Sequence, residues 1–216
     1  MTSQFAYKPF YEHRLPHYQP VGAVLFVTFR LAGSIAAAVL RELAAEADRI
    51  EAMLQKVKDP DDRQAQAYLE QRLMFGKWDH ALHFSRSGPT WLREPAIAED
   101  VAAALMLRDG QVYELHAYCI MPNHVHVVFE ELTRLDGAQY SLQTIMHSLK
   151  RYTAQQANLL LGREGQFWQH ESYGHVVRDE AERIRIVAYV MSNPEKAGLV
   201  APGENWPWCY SKDLQT

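Results

Sequence analysis

The sequence predicts an α+β fold on three observations. Apolar, β-prone runs stand at residues 22–31, 112–120 and 124–130. Longer segments of helical apolar spacing lie between and after them. Proline and glycine turn signals separate the two kinds. The 216 residues fit a single domain carrying an elaborated insertion. A hydrophobic fraction of 48% and a charged fraction of 22% mark an ordinary globular chain that can bury its own core.

The elements follow in order. Residues 5–20 are aromatic and weakly basic, including Arg14 and His17, and Pro9, Pro16 and Pro20 favour extended structure there. Residues 22–31 (GAVLFVTFRL) read as a first strand. Ser34 is the expected N-cap of a helix with Leu40, Leu43, Ala47, Ile50 and Leu54 at helical spacing. The run Asp59-Pro60-Asp61-Asp62 breaks that pattern, and a second helix is expected from about 63 to 75. The pair forms a solvated helical hairpin inserted at about 34–80; its acids Glu42, Glu46, Asp48 and Glu51 argue against a DNA surface. Residues 85–89 are a loop, and residues 95–107 a short helix with Ala98, Val101 and Leu105 inward. After the Asp109-Gly110 turn, residues 112–120 and 124–130 form either one bulged strand or a hairpin. Residues 141–161 predict a strong helix, ended by Gly162 and Gly165. An aromatic loop or short strand follows at 166–169. The last helix is expected over 180–191, stopped by Asn193-Pro194 and then Gly198. The tail around Trp206-Pro207-Trp208 reads as irregular.

Composition narrows the function. No run approaches the ~18 apolar residues of a membrane span, and the N-terminal residues lack the apolar run of a signal peptide. A net charge of −4 does not by itself announce a nucleic-acid binder, although local patches govern such binding. Cys119 and Cys209 form no CxxC and suggest no disulfide framework; Cys119 reads as a small core residue in its strand. A cytoplasmic setting is expected.

The chemistry concentrates at His124-Val125-His126, inside Tyr118-Cys119-Ile120-Met121-Pro122-Asn123-His124-Val125-His126-Val127-Val128-Phe129. Alternation along a strand puts both imidazoles on one face, one pleat apart. Two such rings make half of a divalent-metal site; a hydrogen-bonded structural pair is the alternative. In the last helix, Tyr189 and Asn193 share a face at i, i+4 if the helix continues that far. An amide oxygen suits magnesium or manganese, and a tyrosine facing such an ion is a candidate nucleophile towards a phosphodiester. Spacing alone favours Tyr189 as an ordinary tyrosine of an amphipathic helix.

The chain resembles the REP-associated tyrosine transposases, within the single-tyrosine HUH (His-hydrophobe-His) superfamily. The resemblance rests on RLPHYQPVGAVLFVTFRL at 14–31, YCIMPNHVHVVFE at 118–130, LKRYTAQQAN at 149–158, GQFWQHESYGHVVRDE at 165–180 and YVMSNPEKAGLV at 189–200. PNHVHV and YxxxNPxxxGLV together are specific; HVH alone is weak. The resemblance implies a ferredoxin-like antiparallel sheet with helices on one face, and the histidines on a central strand opposite a helix-borne tyrosine. It implies His124 and His126 as metal ligands, Asn193 as the third ligand and Tyr189 as nucleophile. Mg2+ or Mn2+ is the implied cofactor, and single-stranded DNA beside REP-like palindromic hairpins the implied partner, with nucleoid association when bound. The implied reaction is cleavage and joining through a 5′-phosphotyrosine.

Tyr152, in the basic setting Lys150-Arg151-Tyr152, is the rival nucleophile. Arg14, His17, Lys150, Arg151, Trp168 and Arg178 are the expected DNA contacts, with Arg163 and Phe167 as further candidates. His170 and His175 suit supporting roles near the site, and His80 and His83 read as structural. Alternatives of other classes are a non-cleaving hairpin-binding protein of the same fold and a metallohydrolase using activated water. A zinc site finds no cysteine pair or third histidine at standard spacing. Sequence leaves monomer or homodimer open.

Overall fold

The structure, a computed structural model, describes residues 22–85, 87–133, 137 and 140–214. Arg14, His17 and the rest of the expected N-terminal strap lie outside the described residues. The chain divides into two compact units. Among the described residues, one unit is Gly33–Gly88 and the other comprises those on either side of it.

The larger unit is a five-stranded antiparallel sheet in the order β4-β1-β3-β2-β5. Its strands are β1 (Val24–Leu31), β2 (Tyr113–Ile120), β3 (His124–Glu131), β4 (Trp168–Val176) and β5 (Cys209–Ser211). The helices are α3 (Pro95–Arg108), α4 (Leu142–Leu160) and α5 (Glu180–Lys196). The first four strands, with α3 leading into β2 and α4 joining β3 to β4, have the expected ferredoxin-like arrangement. β5 extends the sheet beyond β2, from the tail that the sequence led us to expect irregular.

Strand alternation explains the layers. Leu25, Val27 and Phe29 of β1 and Val125, Val127 and Phe129 of β3 are buried in one apolar cluster. Val101 and Leu105 of α3 and Ile145 and Leu149 of α4 complete it, so these two helices cover that face. Each such side chain contributes about 1.5–3 kcal/mol on burial. The alternate residues Phe26, His126 and Val128 point to the other face, where α5 packs; Phe26 and His126 both meet Tyr189 of α5. β2 keeps the same division through a register shift between Leu115 and Ala117. Tyr113 and Leu115 before the shift, and Tyr118 and Ile120 after it, all join the core cluster. His116 is therefore an extra residue that changes the parity of the strand. The 121–123 segment is a tight reversal, closed by Met121 N donating to His124 O at 2.9 Å, so β2 and β3 form a hairpin.

The smaller unit is the helical hairpin, α1 (Ala37–Leu54) and α2 (Pro60–His83). Two sequence expectations change here. Ser34 does not cap α1: the cap position is Ala36, with no side-chain bond. Asp59-Pro60 does not delay the second helix but starts it. Asp59 Oδ1 accepts from the backbone N–H groups of Asp61 and Asp62, both at 2.9 Å, and Pro60 takes the first-turn position where its missing N–H costs nothing. Lys77 pairs with Glu46 across the hairpin. Gly88 (φ +97°) closes the unit: a Cβ there would collide with the Gly33 carbonyl. None of the described helices is long and apolar enough to cross a membrane.

One buried acid makes the sheet sensitive to pH. Glu131, at the end of β3, is 4% exposed. Burial pushes its carboxyl up to about 7, against the lowering effect of the Leu142 backbone N–H. An acid that holds its proton more tightly when folded stabilises the fold fully below its unfolded pKa and loses that contribution as pH rises through the folded value. Thermal denaturation of wild type should therefore show falling stability between about pH 4.5 and 7. Glu131→Gln should flatten that slope and raise Tm at pH 8; an unchanged slope would remove Glu131 as its source.

Candidate metal and tyrosine site

The site is assembled on the α5 face of the sheet by three elements of the larger unit. β3 supplies His124 and His126, both 0% exposed. Their Nε2 atoms lie 3.0 Å apart. Each Nδ1 is held from behind: His124 Nδ1 lies 2.6 Å from Asn123 Oδ1, and His126 Nδ1 lies 2.8 Å from Thr28 Oγ1 of β1. The β1–β3 register pairs Thr28 directly with His126, so the contact follows from strand pairing alone.

These partners set the tautomers. An amide oxygen only accepts, so His124 carries its proton on Nδ1 and presents a lone pair at Nε2. The Thr28 hydroxyl can accept or donate. When it donates, His126 holds its proton at Nε2 and donates it to His124. When it accepts, both Nε2 lone pairs converge and need a cation between them. The pair could thus hold a divalent ion in place of that internal proton, with the outer atoms fixing ring orientation. These two ligand atoms lie close enough to share one ion.

α5 brings the tyrosine. The Tyr189 ring centroid lies 5.8 Å from that of His126 and 6.2 Å from that of Phe26. Phe26 in turn stacks on His126 at 5.7 Å. Lys196 Nζ stands 4.6 Å from the Tyr189 ring centre. Asp179 starts the helix by accepting from Glu182 N at 2.7 Å. The helix does not stop at Asn193-Pro194, as the sequence had suggested; it continues to Lys196, and Gly198 (φ +67°) follows its end. Pro194 has no N–H for the Val190 carbonyl four residues back. Asn193 Nδ2 bends onto the helix instead, donating to Tyr189 O at 3.0 Å and, more weakly, to Val190 O at 3.5 Å. Asn193 Oδ1 is left buried with no hydrogen-bond partner among the described residues. An orphaned carbonyl-type oxygen in a buried position suits a hard divalent cation.

The other predicted residues fall in distinct places. Tyr152 is on α4, on the opposite side of the sheet from the histidines, and its ring lies 5.9 Å from the Arg108 guanidinium of α3. Lys150 donates to the backbone carbonyls of Gln169, His170 and Glu171 at 2.8, 3.0 and 3.3 Å, and burial pushes its ammonium down to about 8. Trp168 is 5% exposed, donates to Thr153 Oγ1 at 2.8 Å and meets Phe29 edge-on. It packs the core and offers no open face to a base, a correction to the stacking role expected of it. Phe167 is also in the core, and Arg163 covers the Trp91 ring at 4.1 Å. Arg151 is exposed. Arg178 is half-exposed beside Glu182. His175 is buried 3.3 Å from Glu182, whereas His170 is exposed. In the smaller unit, His83 pairs with Asp79 at 3.3 Å and His80 packs against Phe84. The sequence reading missed Thr28, Asn123, Phe26 and Lys196. Of these only Asn123, adjacent to the pair, carried a local signal.

Comparison with known proteins agrees with the fold. Residues 102–193 match the family model described as "Transposase IS200 like", a span that contains His124, His126, Tyr189 and Asn193. A Haemophilus influenzae protein assigned as a REP-associated tyrosine transposase is 25% identical over 109 residues. That match covers 48% of this chain and spans 62% of the relative's length. A solved structure of a REP-associated tyrosine transposase bound to a REP hairpin matches 93% of this chain and 82% of its own, with a TM-score of 0.50 and 17% identity. Residues 102–193 are therefore similar to the IS200-like transposases, and the chain shares its fold with a solved REP-associated tyrosine transposase.

Proposed function

We propose that this protein cuts and rejoins single-stranded DNA beside palindromic hairpins, using Tyr189 as the nucleophile. The observation that carries this reading is the Tyr189 ring standing 5.8 Å from His126, whose Nε2 converges on that of His124. The hairpin as partner is drawn from the solved relative.

In the proposed reaction the Tyr189 phenol oxygen attacks the scissile phosphorus. The bond from phosphorus to the 3′-oxygen breaks, leaving a 5′-phosphotyrosine and a free 3′-hydroxyl. The phenol gives up one proton and the leaving oxygen gains one, so the step is balanced without a co-reactant. Attack by a 3′-hydroxyl on the phosphotyrosine reverses it and joins strands. His124 Nε2, His126 Nε2 and Asn193 Oδ1 are the proposed ligands of Mg2+ or Mn2+, which would polarise the phosphoryl oxygen and offset developing charge. Phe26 limits where the phenol ring can go. Arg151 and Arg178 are the proposed phosphate contacts, since their guanidinium groups reach the surface. Lys150 acts in this reading by holding the start of β4 rather than by touching DNA.

Covalent trapping tests the nucleophile. With manganese and a labelled single-stranded palindrome, wild type should give a DNA-linked peptide containing Tyr189. Tyr189→Phe should give none while still shifting the hairpin on a native gel. An adduct that survives this substitution would sink the assignment, and hairpin binding without any wild-type adduct would favour the non-cleaving alternative.

Thr28→Val tests the metal centre separately. It removes the oxygen that fixes His126 Nδ1 and leaves both Nε2 donors in place. Calorimetric titration with Mn2+ should show about 10–100-fold weaker binding, alongside a fall in Tm of several degrees because His126 Nδ1 loses its buried partner. Unchanged affinity would mean that Thr28 does not orient the ligand.

A further inference from the structure

The two cysteines that the sequence left as unrelated thiols meet in the fold. Cys119 of β2 and Cys209 of β5 are direct antiparallel partners, and their Sγ atoms lie 2.7 Å apart. Ile120 N donates to Trp208 O at 2.9 Å. In an antiparallel ladder, a bond between the residues just beyond a pair marks that pair as the non-hydrogen-bonded kind. Its Cα atoms then stand about 4.5 Å apart, within the span that a disulfide bridges. Both cysteines are free; Cys119 is buried, and Cys209 is partly exposed.

We infer that Cys119 and Cys209 form a redox-responsive modification site, in which oxidation by a small disulfide such as oxidised glutathione joins them and clamps β5 to the sheet. The exposed partner reacts first: the Cys209 thiolate attacks the glutathione disulfide, forming a mixed disulfide and releasing one reduced glutathione. Cys119 then attacks the Cys209 sulfur, forms the internal disulfide and releases the second. The two thiol protons end on the two glutathione thiols, and the electron pair taken from the cysteines reduces the oxidant.

The clamp encloses the 90-residue separation between the two positions. His124, His126, Tyr189 and Asn193 all lie inside that loop. The C-terminal segment also reaches α5, because Arg183 donates to Asp213 at 2.9 Å. Oxidation therefore restrains the end of the chain that touches the tyrosine helix, and a closed loop of this length restricts the unfolded chain strongly.

The test uses the whole protein treated with oxidised glutathione, and it is independent of DNA cleavage. Peptide mapping should find a Cys119–Cys209 cross-link, the intact mass should fall by two hydrogens, and dithiothreitol should restore both thiols. Tm should rise by about 5 °C or more on oxidation. The Cys209→Ser variant alters a partly exposed position; it should keep its Tm under reducing conditions and show no oxidative rise. Two thiols still titratable after oxidation and unfolding would overturn the proposal. So would a glutathione that stays on Cys209, or a cross-link that leaves Tm unchanged.

Discussion

The pairing of β1 with β3 fixes both the core and the site. Side chains alternate with a period of two, so a slip of one residue between these strands would send Val125, Val127 and Phe129 to the α5 face. The same slip would drive His124 and His126 into a cluster of Leu, Ile, Val and Phe. Two imidazoles there would lose their polar partners, at a cost of several kcal/mol. The apolar residues hold the register, and the register sets Thr28 opposite His126. Orientation of the metal-type ligand is thus a by-product of core packing. It needs no dedicated loop.

The tyrosine helix solves a different problem. Proline in the last turn removes one backbone donor, and an asparagine beside it supplies a side-chain substitute. This use of Asn193 fixes its amide orientation. The nitrogen must face the carbonyls of Tyr189 and Val190, because an oxygen turned that way would meet only other acceptors. The acceptor oxygen is then forced away from the helix carbonyls, buried and unsatisfied. Asn-Pro in this position therefore leaves an amide oxygen unpaired one helical turn from Tyr189. An ordinary C-terminal stop would leave Asn193 free to satisfy itself locally.

What the sequence revealed follows from periodicity. Strong period-two and period-3.6 runs located β1, β3, α3 and α4 within a few residues, and the HVH alternation placed both histidines on one face. Elements decided by single contacts were not legible. Asp59 looked like a helix breaker because an Asp-Pro pair gives the same local signal whether it ends a helix or caps the next. Asn193-Pro194 looked like a stop because the compensating Asn193 bond is invisible in one dimension. β5 is three residues long, and its tail is held by contacts such as Trp206 Nε1 donating to Ile120 O at 2.8 Å. No pattern can announce so short a strand. The Cys119–Cys209 meeting depends on it, as well as on the parity change at His116. Trp168 reads as an aromatic that could stack a base, until Thr153 and Phe29 are seen to occupy it.

The sheet separates stability from chemistry by face. On the α3–α4 side, Trp168 and Lys150 fasten β4 to α4 through one hydroxyl and three carbonyls, and Tyr113 Oη ties β2 to α3 by donating to Leu105 O at 2.7 Å. Tyr152 belongs to this side, so its phenol would have to pass through the sheet to meet the histidines. On the α5 side Asn123, Thr28 and the two histidines hold one another in pairs, and Asn193 Oδ1 is among the buried polar atoms without a partner among the described residues. Substitutions on the first face should act through the folding equilibrium and spare ligand geometry. Those on the second should also disturb ligand geometry, since Phe26, Thr28, His126 and Tyr189 share contacts across three elements. The proposed role of Tyr189 depends on that division: its phenol would reach the histidine pair by rotation of one side chain, over a face whose strands the core holds in register.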